Sequence, residues 1–417
     1  MSMRWRRSAG VAIAALAGLL LAAAPLAARQ ATWVGAFGCS PGQVFDVPPG
    51  APFPQAITAQ GTLRYRLPLS AAGGRLRLRL VNAVSPEPLL IGGVSVALAA
   101  EGTAARAASV KRVTFGGRAE VRIPGGAAVL SDTVDLAVPP GAVLVASVYF
   151  PEATRQPQAG NSLLATLVAG RDATLEAAPA DAQKVGARTP VAAIEVETAA
   201  PARTIVTLGD SITDGAAATS TEVRGWPGRL AGRLAGAGGR LRYAVSNQGI
   251  SGNRLLRDRA GTNALARFDR DALSVPGVSH LIVLEGINDI GNSATRLFGT
   301  DNPPVRAEEL IAAYQQLIAR AHARGVRIYG GTLLPFAGAM YYAPEKEALR
   351  QEVNHWIRSA GAFDAVIDFD AAVRDPQDPS RIAPAFDPGD HLHPNDAGYR
   401  AMGDAIDLAL FEGATRR

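Results

Sequence analysis

Ser211 directly follows an apolar run, in the segment "TIVTLGDSITDG". A serine hydroxyl becomes an effective nucleophile when a base accepts its proton. Serine is also a favoured N-cap, so this segment alone fits a nucleophile and a helix cap about equally well. Ser251 is a second candidate nucleophile, but it lies in the glycine-rich stretch "NQGISGN", where a tight turn explains it. Neither serine lies in a G-x-S-x-G motif, which argues against the nucleophile-elbow fold.

The candidate base comes from the segment "GDHLHPNDAG", which contains two of the five histidines, His391 and His393. The other three fall in a predicted strand or in predicted helices. Asp390 precedes His393 by three residues, so its carboxylate can bond the imidazole within one turn. Such a carboxylate fixes the tautomer and leaves the other ring nitrogen to accept the serine proton. The sequence therefore predicts a triad of Ser211, His393 and Asp390, with His391 in a structural role.

Two further positions carry groups that can bind an oxyanion. Gly252 has no side chain, so its backbone N–H can approach a substrate closely. Asn288, in "GINDI", carries a neutral side-chain donor. With the N–H of Ser211, these donors are expected to stabilise a tetrahedral intermediate. Asp210 and Asp289 are expected to brace their loops.

A metal site is the alternative interpretation of the histidine segment, because four residues of metal-binding type lie within seven positions: Asp387, Asp390, His391 and His393. However, the sequence shows no second cluster of ligands, and a metal would leave the other three loops unexplained. We therefore expect no metal and no cofactor.

The elements that must position these residues alternate between strands and helices after residue 202. Predicted strands lie at 204–208, 241–246, 280–285, 326–330 and 363–369, and predicted helices at 225–237, 306–324, 344–360 and 395–411. Nearly continuous apolar strands alternating with helices indicate an α/β domain with a parallel sheet covered on both faces. Binding sites in such sheets form beyond the carboxyl ends of the strands, which is where the candidate residues fall.

Four blocks of this sequence resemble, in order and spacing, those of the SGNH (GDSL-type) hydrolases: Gly209-Asp210-Ser211, Gly252, Gly286-x-Asn288-Asp289 and Asp390-x-x-His393. The resemblance covers residues 203–412, and wider segments such as "GISGNRLL" and "RFDRD" are similar to an exported bacterial subgroup with a β-sandwich before the hydrolase. It implies a flavodoxin-like three-layer α/β/α domain and metal-free hydrolysis of carboxylic esters. It also implies that Ser211 is the nucleophile, His393 the base and Asp390 its orienting carboxylate, with Gly252 and Asn288 completing the oxyanion hole.

The N-terminal half follows a different pattern. Apolar residues alternate with polar ones in "TLRYRLPL" and "RLRLRLVN", and glycine or proline pairs separate such segments. This pattern predicts an antiparallel β-sandwich, jelly-roll-like, over residues 29–200 before a hydrolase domain at 203–417. The Ala- and Pro-rich segment 173–202 suggests a linker, although "AAIEVET" within it also fits a last strand. The arginine rows indicate a solvated sheet face, with contact to acidic polysaccharide as the alternative.

Residues 1–28 have the features of a signal peptide: three arginines, an apolar stretch and small residues at its end. The apolar part is about long enough to span a bilayer, so a permanent anchor is the alternative. We expect cleavage, a secreted or periplasmic protein, and no stable membrane insertion. Without the leader arginines the formal charge falls from +5 to +2, and no basic run indicates a nucleic-acid partner. Cys39 is the single cysteine, so no internal disulfide forms, and a half-buried inert thiol is expected.

The leading hypothesis is therefore an exported serine esterase that acts on short-chain carboxylic esters, including O-acetyl groups on carbohydrate. Its partner would be a small-molecule or carbohydrate ester. Four residues either line the substrate pocket or brace the loops: Asn253, Arg254, Arg224 and Trp226. Two alternatives remain open, a carbohydrate-binding or surface-interaction protein with secondary hydrolase activity, and an acyltransferase that uses the same triad.

Overall fold

The structure is a computed structural model that describes residues 32–412 apart from short gaps. These gaps are at residues 49–54, 84, 158–159, 161–162, 201, 221–223, 239–241 and 298–299. The predicted signal peptide over residues 1–28 lies outside the described residues. Among the described residues, no helix is long and apolar enough to cross a membrane.

The N-terminal half consists of antiparallel strands, as the alternating pattern predicted. The strands are β1 (Thr32–Gly38), β2 (Ile57–Pro68), β3 (Arg75–Val81), β4 (Leu89–Ile91), β5 (Gly93–Leu98), β6 (Lys111–Val113), β7 (Val121–Ile123), β8 (Ala128–Leu130), β9 (Val143–Gln156), β10 (Ala165–Ala169), β11 (Gln183–Val185) and β12 (Val191–Thr198), with a 3-10 turn at Ala107–Ser109. One sheet has the order β1-β12-β3-β8, the other has the order β11-β10-β2-β9-β5-β6, and β4 pairs with β7. Apolar side chains from both main sheets share one core, which makes this half a sandwich.

The C-terminal half is built on a parallel sheet. Its strands are β13 (Arg203–Gly209), β14 (Tyr243–Gly249), β15 (Val278–Leu284), β18 (Arg327–Gly331) and β19 (Ala365–Ile367), in the order β14-β13-β15-β18-β19, and a separate hairpin contains β16 (Thr295–Leu297) and β17 (Thr300–Asn302). All neighbouring strands of the main sheet run parallel. The first strand lies between the second and the third, which is the flavodoxin-like order. The predicted α/β class and sheet type are therefore confirmed.

Helices follow the strands of this sheet. They are α1 (Ser211–Asp214), α2 (Gly225–Gly236), α3 (Ala264–Phe268), α4 (Ile287–Gly291), α5 (Ala307–His322), α6 (Pro344–Ser359), α7 (Phe369–Val373) and α8 (Asp396–Ala405), with a π-helical turn at Asp269–Leu273 and a 3-10 turn at Leu408–Phe411. The amphipathic helices α2, α7 and α8 pack in one group, and α3, α5 and α6 pack in another. Two helical groups around one sheet correspond to the predicted three layers.

Strand β1 joins the two halves, because it packs against the edge strand β14. The N–H of Gly35 donates to Thr204 Oγ1 at 3.0 Å, and Ser40 Oγ donates to Gln248 Oε1 at 2.7 Å. A Cβ atom at Gly35 would lie 2.5 Å from Val275, so the close approach of β1 requires glycine there. The described residues from 32 to 412 lie in one compact unit, in which two apolar cores meet across buried polar contacts.

The structure differs from the sequence pattern at Arg64, which alternation assigned to a solvated face. Its side chain is 1% exposed. The guanidinium donates to the carbonyls of Thr103 and Ala177, both at 2.9 Å, because two loops cover this face of the sheet. Alternation gives the face on which a side chain lies but not what covers that face.

Two other N-terminal features also bear on the sequence analysis. Segment 173–202, which its composition suggested as a linker, contains β11 and β12, and β12 pairs with both β1 and β3. The strand alternative for "AAIEVET" matches β12. Cys39 was expected to be half-buried, but it is fully buried in the sandwich core.

Candidate active site

Three loops that carry candidate residues leave the same edge of the parallel sheet. Gly209, the last residue of β13, is paired with Gly249 of β14 and with Leu284 of β15. The chain segments that lead to Ser211 and Gly252 therefore begin side by side, together with the segment that leads to α4. This is the strand-end position at which parallel sheets form their sites.

Ser211 is the first residue of α1 and is 7% exposed. The cap of this helix is Asp210, whose carboxylate accepts from the N–H of Ile212 at 2.9 Å. The capping role therefore belongs to Asp210. The Ser211 hydroxyl oxygen lies 2.8 Å from His393 Nε2, across 182 positions of sequence.

The other ring nitrogen of His393 faces Asp390, with 2.6 Å between Nδ1 and Oδ2. The second carboxylate oxygen accepts from the backbone N–H groups of Leu392 and His393, both at 3.0 Å. Partial burial opposes ionisation of this carboxyl, but these hydrogen bonds outweigh it and lower the pKa of Asp390 to about 2. Asp390 is thus an ionised acceptor that favours the tautomer with hydrogen on Nδ1 and leaves Nε2 to accept from Ser211.

The predicted oxyanion donors occupy neighbouring loops. Gly252 has φ of 78°, a left-handed conformation that favours glycine. One N–H of the Asn288 amide donates to the carbonyl of Asn253 at 3.0 Å, which ties α4 to the Gly252 loop. A primary amide has two N–H groups, so this bond leaves the second for a ligand. The hydroxyl of Tyr341 donates to Asn288 Oδ1 at 3.4 Å and orients the amide from its other end.

A hydroxyl, an imidazole and a carboxylate in this sequence of contacts can perform nucleophilic acyl transfer. Backbone and side-chain donors at the ends of neighbouring parallel strands can stabilise the oxyanion that such a reaction creates. The residues predicted from the sequence as the triad, Ser211, His393 and Asp390, lie together in the structure.

Three carboxyl groups are buried behind the serine: those of Asp210, Glu285 and Asp289. Burial raises the pKa of Asp210, and burial together with the charge of Asp210 raises the pKa of Glu285 well above its usual value. Burial also raises the pKa of Asp289, to about 6, even though its carboxylate accepts from the backbone N–H groups of Leu255 and Leu256 at 2.6 and 3.0 Å. The bonds of Asp210 to the N–H of Ile212 and of Asp289 to Leu255 and Leu256 are those of bracing residues, the role that the sequence analysis expected of them.

Arg267, on α3, contacts several of these loops at once, and the sequence analysis did not identify it. The side chain is fully buried and donates to the carbonyls of Gly209 at 3.0 Å and Gln248 at 2.7 Å, and to Asn253 Oδ1 at 2.9 Å. It also lies 3.7 Å from Glu285. The only sequence signal is its position in "RFDRD", a segment similar to the exported SGNH subgroup.

The four residues proposed either to line the pocket or to brace loops make internal contacts. Trp226 is fully buried in the apolar core, and its ring lies 5.0 Å from that of Phe369. Arg254 donates to Asn302 Oδ1 at 2.7 Å, and Asn253 donates to the carbonyl of Thr262 at 3.0 Å. These contacts correspond to bracing and packing.

The fourth of these residues, Arg224, donates to the carbonyl of Gly38 at 3.2 Å and to Asp214 at 3.3 Å. It also lines a cleft between the sandwich and α2. Ser211, Gly252, Asn288 and His393 do not line this cleft. Arg224 therefore joins the two halves of the molecule.

The residues of the alternative metal site form two separate His–carboxylate pairs. His391 Nδ1 lies 2.5 Å from Asp387 Oδ2, while His393 bonds Asp390. His391 has φ of 60°, an unusual value for a residue with a side chain. Within the described part of the chain, no group of three or more His, Cys, Asp or Glu side chains could hold a metal ion. The hydroxyl of the rival nucleophile Ser251 lies within hydrogen-bond distance of the carbonyl of Gly160 and of Asp214 Oδ2, and its one hydrogen donates to one of them.

Residues 207–401 match the model of the GDSL-like lipase/acylhydrolase family. No curated protein sequence matches the chain. Among solved structures, Axe2, an acetylxylan esterase from Geobacillus stearothermophilus, is 23% identical to this chain, with a TM-score of 0.39. The match covers 51% of this chain and 94% of Axe2. A GDSL-like lipase from Bacteroides thetaiotaomicron is 20% identical, with a TM-score of 0.37 and coverage of 50% and 87%. At these values the solved structures say nothing about the substrate of this chain.

Proposed function

We propose that the chain is a carboxylic ester hydrolase and that Ser211 is its nucleophile, which the match of residues 207–401 to the GDSL-like lipase/acylhydrolase family model supports. The observation that carries this proposal is the pair of short contacts at His393, 2.8 Å to the Ser211 hydroxyl and 2.6 Å to Asp390. In the proposed reaction, Ser211 Oγ attacks the ester carbonyl while His393 Nε2 accepts its proton. The N–H of Ser211, the N–H of Gly252 and the amide of Asn288 stabilise the oxyanion.

Collapse of the tetrahedral intermediate then breaks the bond to the alcohol, and His393 returns the proton to the leaving oxygen. Water attacks the acyl-enzyme on the same carbonyl, with His393 again as the base, and the acid and free Ser211 are released. Asp390 stays ionised throughout, since it stabilises the imidazolium and does not accept its proton. These steps need only side chains and backbone donors of this chain.

We propose short acyl groups as the preferred substrates. Enzymes that act at lipid surfaces need a continuous apolar patch around the site. The large apolar side chains exposed among the described residues are scattered singly: Leu130, Leu175, Met340 and Val366. Such a surface suits small, water-soluble esters.

The remaining parts of the proposal concern export and the natural ester. The leader-like residues 1–28 favour a secreted or periplasmic enzyme, and an exported hydrolase would meet acetylated carbohydrate outside the cell. We therefore propose O-acetyl groups on carbohydrate as the first natural esters to test.

The test is hydrolysis of p-nitrophenyl esters from two to sixteen carbons by the wild type and by Ser211→Ala. We expect activity to fall steeply with acyl length, and Ser211→Ala to lose at least about 10³-fold in kcat while it unfolds at the wild-type temperature. A fully active Ser211→Ala variant would refute the nucleophile. Activity that rises with chain length would refute the short-acyl proposal. Acetate release from acetylated xylan and pectin then tests the carbohydrate ester.

A further inference from the structure

The Gly252 loop is held from outside the α/β domain, by a side chain of the N-terminal half. Arg188 follows β11 and its side chain is 2% exposed. It donates in three directions: to Asp214 Oδ2 at 2.8 Å, to the carbonyl of Gly249 at 2.7 Å and to the carbonyl of Ser40 at 2.6 Å. One rigid guanidinium therefore joins three separate segments, an arrangement that a flexible lysine ammonium cannot reproduce.

Two of these contacts lead directly to the proposed catalytic groups. Asp214 is the last residue of α1, three positions after Ser211, and Gly249 ends β14, three positions before Gly252. Asp214 Oδ2 also accepts from the backbone N–H of Ser251 at 3.2 Å, and the hydroxyl oxygen of Ser251 lies 3.1 Å from it. Arg188 and Asp214 thus hold both chain segments that supply backbone donors to the oxyanion.

The N-terminal half makes a second contact with the same loop. The hydroxyl of Ser251 donates to the carbonyl of Gly160, which lies between β9 and β10 of the sandwich. A Cβ atom at Gly160 would overlap the Ser251 side chain, so the two segments are in direct contact. The N-terminal half therefore contacts this loop at two places, through Gly160 at Ser251 and through Arg188 at Gly249.

We propose that Arg188 is a positioning residue of the active site, and that through this one side chain the N-terminal half aligns the segments of Ser211 and Gly252. The proposal rests on the proposed function, because it assigns Arg188 to the alignment of Ser211 and Gly252. Donors that bind an oxyanion must be aligned before the reaction, and a displacement of about 1 Å can cost about 10²-fold in rate. Arg188 acts through these groups and does not touch the ester.

The test compares Arg188→Lys with Arg64→Lys in the full chain. Lysine at 188 keeps a positive charge beside Asp214 but loses the fork that reaches Gly249 and Ser40. Arg64 is the matched control, since it is a buried arginine of the same half that donates to loop carbonyls of the sandwich. We expect kcat for p-nitrophenyl acetate to fall about 10²-fold in Arg188→Lys with KM little changed, and to stay at the wild-type value in Arg64→Lys.

A folded Arg188→Lys variant with wild-type kcat would overturn the proposal, as would an equal loss of kcat in Arg64→Lys. If Arg188→Lys does not fold, Ser251→Ala removes the neighbouring hydroxyl contact of the Gly252 loop with Asp214 and Gly160 without burying an unpaired charge, and unchanged kcat there is again contrary. Hydrogen exchange of the backbone over residues 247–256 gives a readout independent of ester hydrolysis. We expect faster exchange in Arg188→Lys than in Arg64→Lys, and equal rates would contradict the proposal. Failure of the proposed function would instead appear as wild-type activity that does not depend on Ser211.

Discussion

The two halves of the molecule differ in how completely their buried polar side chains are hydrogen-bonded. In the sandwich, Arg64 and Asn82 are buried, and their side chains donate to backbone carbonyls of other segments of this half. Among the described residues, every buried side-chain nitrogen or oxygen that lacks a hydrogen-bond partner lies in the α/β half. These atoms include Asp210 Oδ2 and both carboxyl oxygens of Glu285, close to the carboxyl ends of β13 and β15.

We interpret this difference as that between a scaffold, the sandwich, and a half that carries the candidate active site, the α/β half. An unpartnered buried polar atom costs free energy, so an element that only supports the fold has its buried donors and acceptors paired. Active sites keep polar groups that are incompletely satisfied, because these groups must meet a substrate or hold loops in strained positions. We therefore expect the unpartnered carboxyl oxygens of Asp210 and Glu285 to lower the stability of the α/β half, at the strand ends that carry the candidate site.

The sharpest test of this comparison uses two asparagines of equal burial, Asn82 in the sandwich and Asn288 at the site, each 7% exposed. We expect Asn288→Ala to lower kcat about 10²- to 10³-fold, since the amide would stabilise charge that appears only in the transition state. Asn82 Nδ2 donates to the carbonyls of Glu87 and Ile123, so Asn82→Ala should lower the free energy of unfolding by about 1–3 kcal/mol.

The measurements are kcat with p-nitrophenyl acetate and urea unfolding on both variants. We expect Asn82→Ala to retain wild-type kcat at temperatures where it is folded. Equal losses of kcat in the two variants would mean that any buried asparagine supports the rate through stability alone. Wild-type kcat in Asn288→Ala would remove this residue from the oxyanion hole.

A smaller effect is expected from the pH dependence of stability, and it should have opposite signs in the two halves. The pKa of Asp289 is about 6 in the folded protein, above an unfolded value of about 3.9, so folding binds a proton in this range. The stability that this proton contributes is present below about pH 4 and is lost as the pH rises through 6. Asp289→Asn should therefore flatten the fall in unfolding free energy between about pH 4 and pH 6.

The matched control is Asp132 of the sandwich, where the hydrogen bond from the N–H of Gly117, with others, lowers the carboxyl pKa. Its contribution is present above the unfolded pKa and is lost as the pH falls. Asp132→Asn should therefore lower stability above about pH 4, and the difference from the wild type should disappear as the pH falls below that value. Urea unfolding across this range checks both signs. An Asp289→Asn slope identical to the wild type would show that this carboxyl titrates normally in the folded protein.

Much of the molecule could be predicted from its sequence, because the strongest signals were local. Apolar runs predicted β13, β14 and β15, and polar residues at their ends predicted the positions of Ser211 and Asn288. The Asp390–His393 contact is also local, since the two residues are only three positions apart. In the sandwich, alternation predicted β2 and β3 for the same reason.

The contacts that could not be predicted join distant segments. Arg188 meets Gly249 across 61 positions, and nothing in the type or spacing of the two residues indicates that contact. Arg64 has the alternation of an outward-facing residue, and only the loops that cover the sheet bury it. The position of β12 between β1 and β3 likewise depends on long-range pairing, which a single sequence does not specify.

The smallest expected effect comes from the outer face of the sandwich. Arg75 is half-exposed and pairs with Glu197, while Arg77 and Arg79 both pair with Glu195, so this arginine row is neutralised by β12. Water and salt weaken an exposed pair of this kind. We expect Arg75→Ala to keep the wild-type unfolding temperature and kcat in low and high salt, and not to change binding of acidic polysaccharide. A clear loss of kcat would show that this face also serves the active site, and would contradict the division into scaffold and site.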